Sequence, residues 1–183
     1  MSTTVYVYTG TLFSFAQPAS GAVPLAFFLF IVATSVMGGM VGAARRKFNI
    51  PYPTMYAVAG TPRYYALAMR PAKKSAGEAA LPPDALITEA EAYGFNCVQR
   101  GHQNFVENAP FVLAALIGAW PFPIIAAGAL VLHLIGRLLY ILGYSRNPAS
   151  RMWGAALIYP SLLTLLALDI ASAVYAFRGT MPF

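Results

Sequence analysis

The sequence predicts an all-α membrane protein, folded as an up-down bundle of four transmembrane helices. Of its 183 residues, 58% are hydrophobic and only 10% are charged, whereas a soluble domain carries about 25% charged residues. Four apolar segments are long enough to supply the roughly 20 residues that cross a hydrocarbon core. Two of the three connections between these segments are short, which favours antiparallel neighbours.

The predicted spans cover residues 21–44, about 95–120, 124–144 and 152–177. The first span contains no charged residue, and the second and third are joined by a tight hairpin at Pro121-Phe122-Pro123. Thr88-Glu89-Ala90-Glu91 has the spacing of a capping box, in which a hydroxyl and a carboxylate satisfy free backbone N–H groups. This spacing predicts that the second helix begins there, before it enters the membrane.

The chain divides into a leader at 1–20, a membrane domain at 21–177 and a tail at 178–183. The leader lacks a basic n-region and precedes an apolar run long enough to span, so we expect a permanent first helix, not a cleaved signal peptide. Within the membrane domain, an insert at about 61–88 is rich in Pro, Ala and Lys. This composition is typical of a solvated, partly flexible linker.

Basic residues orient the predicted bundle. The first connection holds seven of them and the third holds two, whereas Arg178 alone lies on the opposite side. The positive-inside rule therefore places the first and third connections in the cytosol. The net charge of +6 is not gathered into a dense basic stripe, so no nucleic-acid partner is expected. A single cysteine, Cys97, excludes an internal disulfide and a cysteine-based zinc site, and no metal is expected.

Two polar stripes lie on the predicted second and third helices. One consists of Arg100, Asn104 and Glu107, and the other consists of Arg137, Tyr140 and Tyr144. Spacings of three, four and seven residues put each set on one helical face. His102 is rotated by about 200° from Arg100 and points elsewhere. Because burying a charge in a membrane helix costs about 2.5–3.5 kcal/mol, such residues are functional candidates.

The stripes are expected to meet at the cytosolic end of the bundle. Arg45 ends the first helix and Arg151 begins the fourth, and in an alternating bundle both lie on the same side as the two stripes. Arginine forks match carboxylates, and Glu107 can accept an ammonium group. A ligand with two negative groups and one positive group would fit, which describes glutathione and other zwitterionic molecules.

Each of these residues also has a plain structural interpretation. Arg100 and Glu107 can form an ion pair that binds nothing. The basic cluster that starts at Arg45 is typical of a helix end whose cations reach lipid headgroups. The two tyrosines are typical of an interfacial aromatic belt, and Arg151 of an ordinary positive-inside residue.

Three further residues are interpreted as unrelated to this site. Asp169 lies about 26 Å along the fourth helix from its start, and we expect it at the far interface. His133 and Cys97 are interpreted as packing residues.

Three ordered motifs resemble a known family. The second helix carries Phe95-Asn96-Cys97-Val98-Gln99-Arg100-Gly101-His102-Gln103-Asn104, followed by Glu107 and Pro110. The first helix ends in Ala44-Arg45-Arg46-Lys47-Phe48, and the third carries Gly136-Arg137-Leu138-Leu139-Tyr140, then Gly143-Tyr144 and Pro148 to Arg151. Together they resemble the membrane-associated proteins in eicosanoid and glutathione metabolism (MAPEG), in particular the type three microsomal glutathione S-transferases. The likeness covers roughly residues 25–175 outside the insert.

The resemblance implies a homotrimer of four-helix subunits, with glutathione held between neighbouring subunits at the cytosolic side. It assigns glutathione binding to Arg45, Arg100, His102, Asn104, Glu107, Tyr140 and Tyr144. It gives Arg151 the stabilisation of the glutathione thiolate, with Arg46 as a second arginine near the thiol. Two positions depart from the leukotriene C synthase branch, where His102 replaces a glutamine and Asn108 replaces a tyrosine.

The activity implied by this resemblance is that of a glutathione transferase, with possible peroxidase or leukotriene C synthase-like activity. Glutathione would be the co-substrate, and the partners would be membrane lipid and a lipophilic electrophile or lipid hydroperoxide. The implied location is the endoplasmic reticulum or nuclear envelope, with the active site facing the cytosol. A non-catalytic lipid-binding scaffold, resembling the lipoxygenase-activating protein, is the alternative within the same family.

Overall fold

A computed structural model describes residues 18–62 and 86–179. Most of the predicted leader, most of the insert and most of the tail lie outside the described residues. The description below concerns the two described stretches.

Four α-helices and two short 3-10 turns make up the described fold. The helices are α1 (Ala22–Phe48), α2 (Glu89–Gly118), α3 (Pro123–Arg146) and α4 (Met152–Arg178), and the 3-10 turns are Pro18–Gly21 and Pro148–Arg151. Each predicted apolar segment lies largely within one of these helices. The prediction of an all-helical, four-helix chain is therefore confirmed for the described residues.

The helix ends follow from local sequence. The capping box predicted at Thr88 is present, because the Glu91 amide donates to the Thr88 hydroxyl at 3.3 Å and the Thr88 amide donates to the Glu91 carboxylate at 2.9 Å. Asn49 ends α1 in the left-handed conformation, which asparagine tolerates well. Pro123 occupies the first turn of α3, where its missing N–H is not needed.

α2 and α3 form the centre of the bundle. α3 contacts every other helix, and its most extensive contact is with α4. α1 and α4 lie on opposite sides of the central pair and share almost no contacts. The buried core runs between the helices, where the rings of Phe30 and Phe105 lie 5.3 Å apart. Its other large, fully buried members include Met37, Leu116, Leu130 and Leu165.

Three segments are long and apolar enough to cross a membrane, namely 19–48, 123–146 and 148–178. They identify the chain as an integral membrane protein. α2 does not meet the same criterion among the described residues, because Arg100, Glu107 and their polar neighbours lower its mean hydropathy. That α2 also spans the bilayer, as the sequence predicts, stays a prediction.

The first connection is held by hydrogen bonds to α2 and by hydrogen bonds between its own two ends. The side-chain amide of Asn96 both accepts from the Ala57 amide and donates to the Ala57 carbonyl, each at 2.8 Å. The Gly60 amide donates to the Ile87 carbonyl at 2.8 Å, and the Ile87 amide donates to the Thr61 carbonyl at 3.0 Å. The two described ends of the insert therefore lie side by side.

Candidate functional site

A cavity of about 460 Å³ lies at one end of the bundle, among α2, α3 and α4. Its walls come from Arg100, Asn104, Tyr140, Tyr144, Arg151, Met152, Ala155 and Tyr159. Five of the nine predicted site residues line it, namely Arg100, Asn104, Tyr140, Tyr144 and Arg151. The structure therefore brings together side chains that lie up to 51 positions apart in the sequence.

Close backbone contact between α3 and α4 places Arg151 beside the two tyrosines. A Cβ atom at Gly143 would lie 2.5 Å from the Ser150 carbonyl oxygen. A Cβ atom at Gly154 would overlap the Gly136 carbonyl oxygen and the Tyr140 amide nitrogen. Only glycine permits this approach, and side-chain volume at either position would force the start of α4 away from the end of α3.

Arg151 is the exposed cation at this contact. Its guanidinium carbon lies 5.5 Å from the centre of the Tyr144 ring, a cation–π distance. The rings of Tyr140 and Tyr144 lie 5.9 Å apart. Arg151 also occupies the N-cap position of α4, without a side-chain capping bond, and the N-terminus of a helix carries partial positive charge. The arrangement favours an anion in the adjoining space.

Arg100 contributes the second cation of the cavity. Its Nη1 atom lies 3.5 Å from Oε1 of Glu107, and the two side chains are 50% and 45% exposed. Arg100 and Glu107 therefore form the ion pair that the structural interpretation predicts, but both side chains are about half exposed. Such exposed pairs are worth about 0–1 kcal/mol, so the pairing leaves Arg100 available to a ligand. Glu107 itself is not among the residues that line the cavity.

Arg45 is engaged by the first connection and does not line the cavity of its own chain. Its guanidinium donates to the carbonyl oxygens of Pro51, at 3.3 Å, and Thr54, at 2.7 Å. The same group lies 4.1 Å from the centre of the Tyr52 ring and 5.1 Å from that of Phe95. In this position Arg45 folds the chain that follows α1 back onto α2.

Arg46 and His102 also lie away from the cavity. Arg46 is exposed on the last turn of α1. His102 is half-buried and faces α1, where its Nε2 atom lies 3.9 Å from the position of a Cβ atom at Gly38. The predicted rotation of His102 away from Arg100 is confirmed, and His102 is not among the residues that line this cavity.

His133 is buried, as a packing residue should be, but it also belongs to a chain of buried hydrogen bonds. Arg137, only 4% exposed, donates from Nε to Nε2 of His133 at 3.1 Å and from Nη1 to Oδ1 of Asn104 at 2.7 Å. Nδ1 of His133 lies 3.2 Å from Oγ of Ser161, which donates to the Ile158 carbonyl at 2.8 Å. The spacing of four residues between His133 and Arg137 was a sign of the first of these bonds, whereas the contact with Ser161 had no signal in the sequence.

Three cavity residues were not singled out in the sequence. Met152, Ala155 and Tyr159 follow Arg151 on α4. Arg151, Ala155 and Tyr159 are spaced by four residues, which puts them on one helical face. That periodicity was a usable signal, but it was hidden among the many apolar residues of the same helix.

Asp169 and Cys97 occupy the places expected for them. Asp169 packs against Gly118, where α2 ends, at the opposite end of the bundle from the cavity. Cys97 is buried in α2. Neither lines the cavity.

A comparison with known protein families identifies one family along most of the chain. The model of the MAPEG family matches residues 23–171. The matched range includes all four helices, apart from the first residue of α1 and the last turns of α4. It also includes every residue that lines the cavity.

Proposed function

We propose, since this chain belongs to the MAPEG family, that it is a membrane-bound glutathione transferase with peroxidase capacity. The family contains glutathione-dependent enzymes and also non-catalytic lipid-binding scaffolds. The observation that favours an enzyme is the cavity in which Arg100, Asn104, Tyr140, Tyr144 and Arg151 meet. A lipid-presenting scaffold has no need of two guanidinium groups beside an amide and two phenols.

The cavity suits the polar groups of glutathione. The tripeptide carries two carboxylates, which guanidinium groups bind through paired hydrogen bonds. Tyr140 and Tyr144 offer hydroxyl groups that both donate and accept. Glu107, which lies 3.5 Å from Arg100, is the carboxylate proposed to accept the ammonium group.

Arg151 is proposed to stabilise the thiolate. A free thiol has a pKa near 8.5, so only a few per cent of it is ionised at neutral pH. A neighbouring guanidinium lowers the thiol pKa because it stabilises the anion. Moving the pKa from about 8.5 to about 6.5 requires about 2.7 kcal/mol, which is within reach of one close cation in a partly desolvated space. The α4 N-terminus acts in the same direction.

The thiolate then reacts with a lipophilic substrate that arrives from the bilayer. In a transferase reaction, sulfur forms a bond to the electrophilic carbon and the leaving group departs. In a peroxidase reaction, sulfur attacks the terminal oxygen of the hydroperoxide, the O–O bond breaks, and the alkoxide takes up a proton and leaves as the alcohol. The resulting sulfenic acid of glutathione then reacts with the thiol of a second glutathione, which forms the disulfide and releases water. Neither route requires a nucleophile from the protein.

Arg45, Arg46 and His102 enter the proposal through a second copy of the chain. They do not line the cavity of their own chain, whereas the family resemblance puts glutathione between neighbouring subunits. We therefore propose a homotrimer in which these residues approach the ligand from the neighbour. The membrane is proposed to be that of the endoplasmic reticulum or nuclear envelope, with the cavity at the cytosolic face.

Substitution of Arg151 tests the proposed chemistry directly. We expect Arg151→Ala to leave glutathione binding, measured by calorimetry, largely intact. We also expect it to abolish the ultraviolet absorbance of bound thiolate near neutral pH. Arg146→Ala is the matched control, because Arg146 is an exposed arginine at the end of α3 outside the cavity. An unchanged thiolate signal in Arg151→Ala would remove Arg151 from the mechanism.

Two activity assays separate the enzyme from a scaffold. A transferase conjugates a generic aryl halide to glutathione, and a peroxidase reduces a fatty-acid hydroperoxide at the expense of glutathione. If the purified protein binds lipid but neither binds glutathione nor turns over either substrate, the scaffold is the correct assignment.

A further inference from the structure

We propose that Arg137 is a positioning residue, held by His133 and Ser161, that turns the Asn104 amide so that its N–H donors face the cavity. The inference rests on the proposed function and extends it, since it specifies which atoms of the ligand this wall accepts. It follows from the directions of four hydrogen bonds.

The first step is the buried arginine. Arg137 is only 4% exposed, and none of the carboxylates in the described residues pairs with it. Guanidinium groups carry five donors and no acceptor. Every atom to which Arg137 bonds must therefore be an acceptor, which fixes the orientation of both of its partners.

The second step is the tautomer of His133. Because Arg137 donates to Nε2, that nitrogen carries no hydrogen, and a neutral ring must carry its hydrogen on Nδ1. The Ser161 hydroxyl gives its own hydrogen to the Ile158 carbonyl, so its oxygen accepts from Nδ1 of His133. The hydrogen bonds therefore all donate in one direction, from Arg137 to His133, from His133 to Ser161, and from Ser161 to the α4 backbone.

The third step is the amide of Asn104. Its Oδ1 atom faces Arg137 and accepts from it at 2.7 Å. The remaining side-chain atom, Nδ2, takes no partner in residues 18–62 and 86–179, while Asn104 lines the cavity. The Asn104 side chain thus presents two N–H donors to a ligand and withholds its acceptor.

The consequence is a specificity for acceptor oxygens at this wall. Arg100 and Arg151 are also pure donors, so the three side chains together suit a carboxylate or a peptide carbonyl and reject an ammonium group. Without Arg137, the Asn104 amide is free to turn over and present its oxygen to the cavity instead.

One test measures the tautomer without any ligand. The chain has only two histidines, so nitrogen-15 labelling of histidine in a detergent-solubilised or nanodisc sample gives two ring systems, and His133→Gln assigns them. We expect the His133 ring to carry hydrogen on Nδ1 and not on Nε2. The opposite tautomer, or a doubly protonated ring, would overturn the bracing of Arg137.

A second test measures glutathione affinity by calorimetry. Asn104→Asp keeps the contact with Arg137 as an ion pair but replaces the donors with an oxygen, and we expect at least a tenfold loss of affinity. Arg137→Lys keeps the charge, but a single ammonium group cannot reproduce the fork, and a similar loss is expected. The two losses should not add in the double variant, because both act on one amide.

Serine variants supply the matched control. Ser161→Ala removes the acceptor for His133 and should weaken glutathione binding a few-fold. Ser172→Ala removes a buried α4 hydroxyl that also donates to its own helix backbone, at 2.8 Å to Leu168, and should leave affinity unchanged. At saturating glutathione, both serine variants should keep the absorbance of the bound thiolate, because neither changes Arg151.

The outcomes separate this inference from the proposed function. If the wild-type protein binds glutathione and both Asn104→Asp and Arg137→Lys bind it equally well, the positioning role is overturned. Should Arg137→Lys fail to fold, Ser161→Ala and the tautomer of His133 decide the matter, because both report on the bracing of Arg137 and leave the cavity side chains in place. If the wild-type protein binds no glutathione, the proposed function and the ligand preference both fail, and the tautomer measurement still decides whether the bracing exists.

Discussion

At the scale of single residues, four arginines of one chemical type have four different surroundings. Arg45 donates to two backbone carbonyls and lies against two aromatic rings. Arg137 is buried among neutral partners. Arg100 is half exposed beside a carboxylate. Only Arg151 combines exposure, an aromatic neighbour and a helix N-terminus. This difference in surroundings, and not the residue type, is the reason for proposing Arg151 as the residue that stabilises an anion.

Arg45→Ala should loosen the connection that follows α1. Loss of a charged donor to the Pro51 and Thr54 carbonyls is expected to cost about 2 kcal/mol of stability. Hydrogen exchange at the backbone of residues 50–58 should rise accordingly. Arg46→Ala is the control, because Arg46 is exposed on the same turn and should leave exchange unchanged. Equal exchange in the wild-type protein and Arg45→Ala would contradict the bracing role.

The sequence predicted these residues unevenly. Arg100 and Asn104 share a helical face, so periodicity alone placed them together, and the cavity confirms that proximity. The partners of Arg45 lie in irregular chain without periodicity, and nothing in the sequence pointed to them. The i, i+4 spacing of His133 and Arg137 on α3 was a usable signal for one of its hydrogen bonds. The contact with Ser161 joins two helices and leaves no trace in a single-helix pattern.

At the scale of elements, the contact between α3 and α4 determines the cavity. Consecutive helices with a short connection pack antiparallel, and this much was predictable from the loop Ser145–Ser150. The depth of the contact was not predictable, because it depends on which glycines face each other across the interface. Gly154 meets the backbone of Gly136 and Tyr140, and that approach carries Arg151 to the tyrosines.

Gly154→Ala should separate the start of α4 from α3. The added methyl group meets backbone, which cannot move aside as a side chain can, and overpacking of this kind costs about 1–3 kcal/mol. We expect a lower thermal stability together with weaker glutathione binding and a reduced thiolate signal. Gly128→Ala is the matched control, because a Cβ atom at Gly128, also on α3, meets nothing within 4 Å. It should be neutral or slightly stabilising. Equal thermal stability and equal glutathione binding in the two variants would show that the close contact between α3 and α4 does not determine the shape of the cavity.

At the scale of the whole molecule, the composition was sufficient for the membrane assignment and the four helices. It was less informative for α2, whose polar residues serve the cavity and exclude it from the three clear spans. The helix that supplies Arg100 and Asn104 to the cavity is therefore the one whose hydropathy is least typical of a membrane helix. That conflict between hydropathy and site residues is expected wherever charges are kept inside a bundle.

Replacement of residues 64–85 by a short glycine-serine linker should leave the bundle intact. The Ile87 amide and the Thr61 carbonyl are already hydrogen-bonded at 3.0 Å, so a short linker closes the gap without strain. We expect unchanged helix content by circular dichroism and unchanged glutathione affinity by calorimetry. A lower helix content would show that the replaced segment contributes to folding, and a lower glutathione affinity would show that it contributes to binding. A linker of the same length as the replaced segment serves as the control for composition.

The contact at Gly143 and Gly154 also bears on how this protein can diversify. Main-chain contacts fix the start of α4 beside α3, so the side chains of Met152, Ala155 and Tyr159 can be exchanged one by one without moving the backbone of Arg151. New substrate preferences can therefore be selected on this wall of the cavity alone, and laboratory evolution of this scaffold should begin at those three positions.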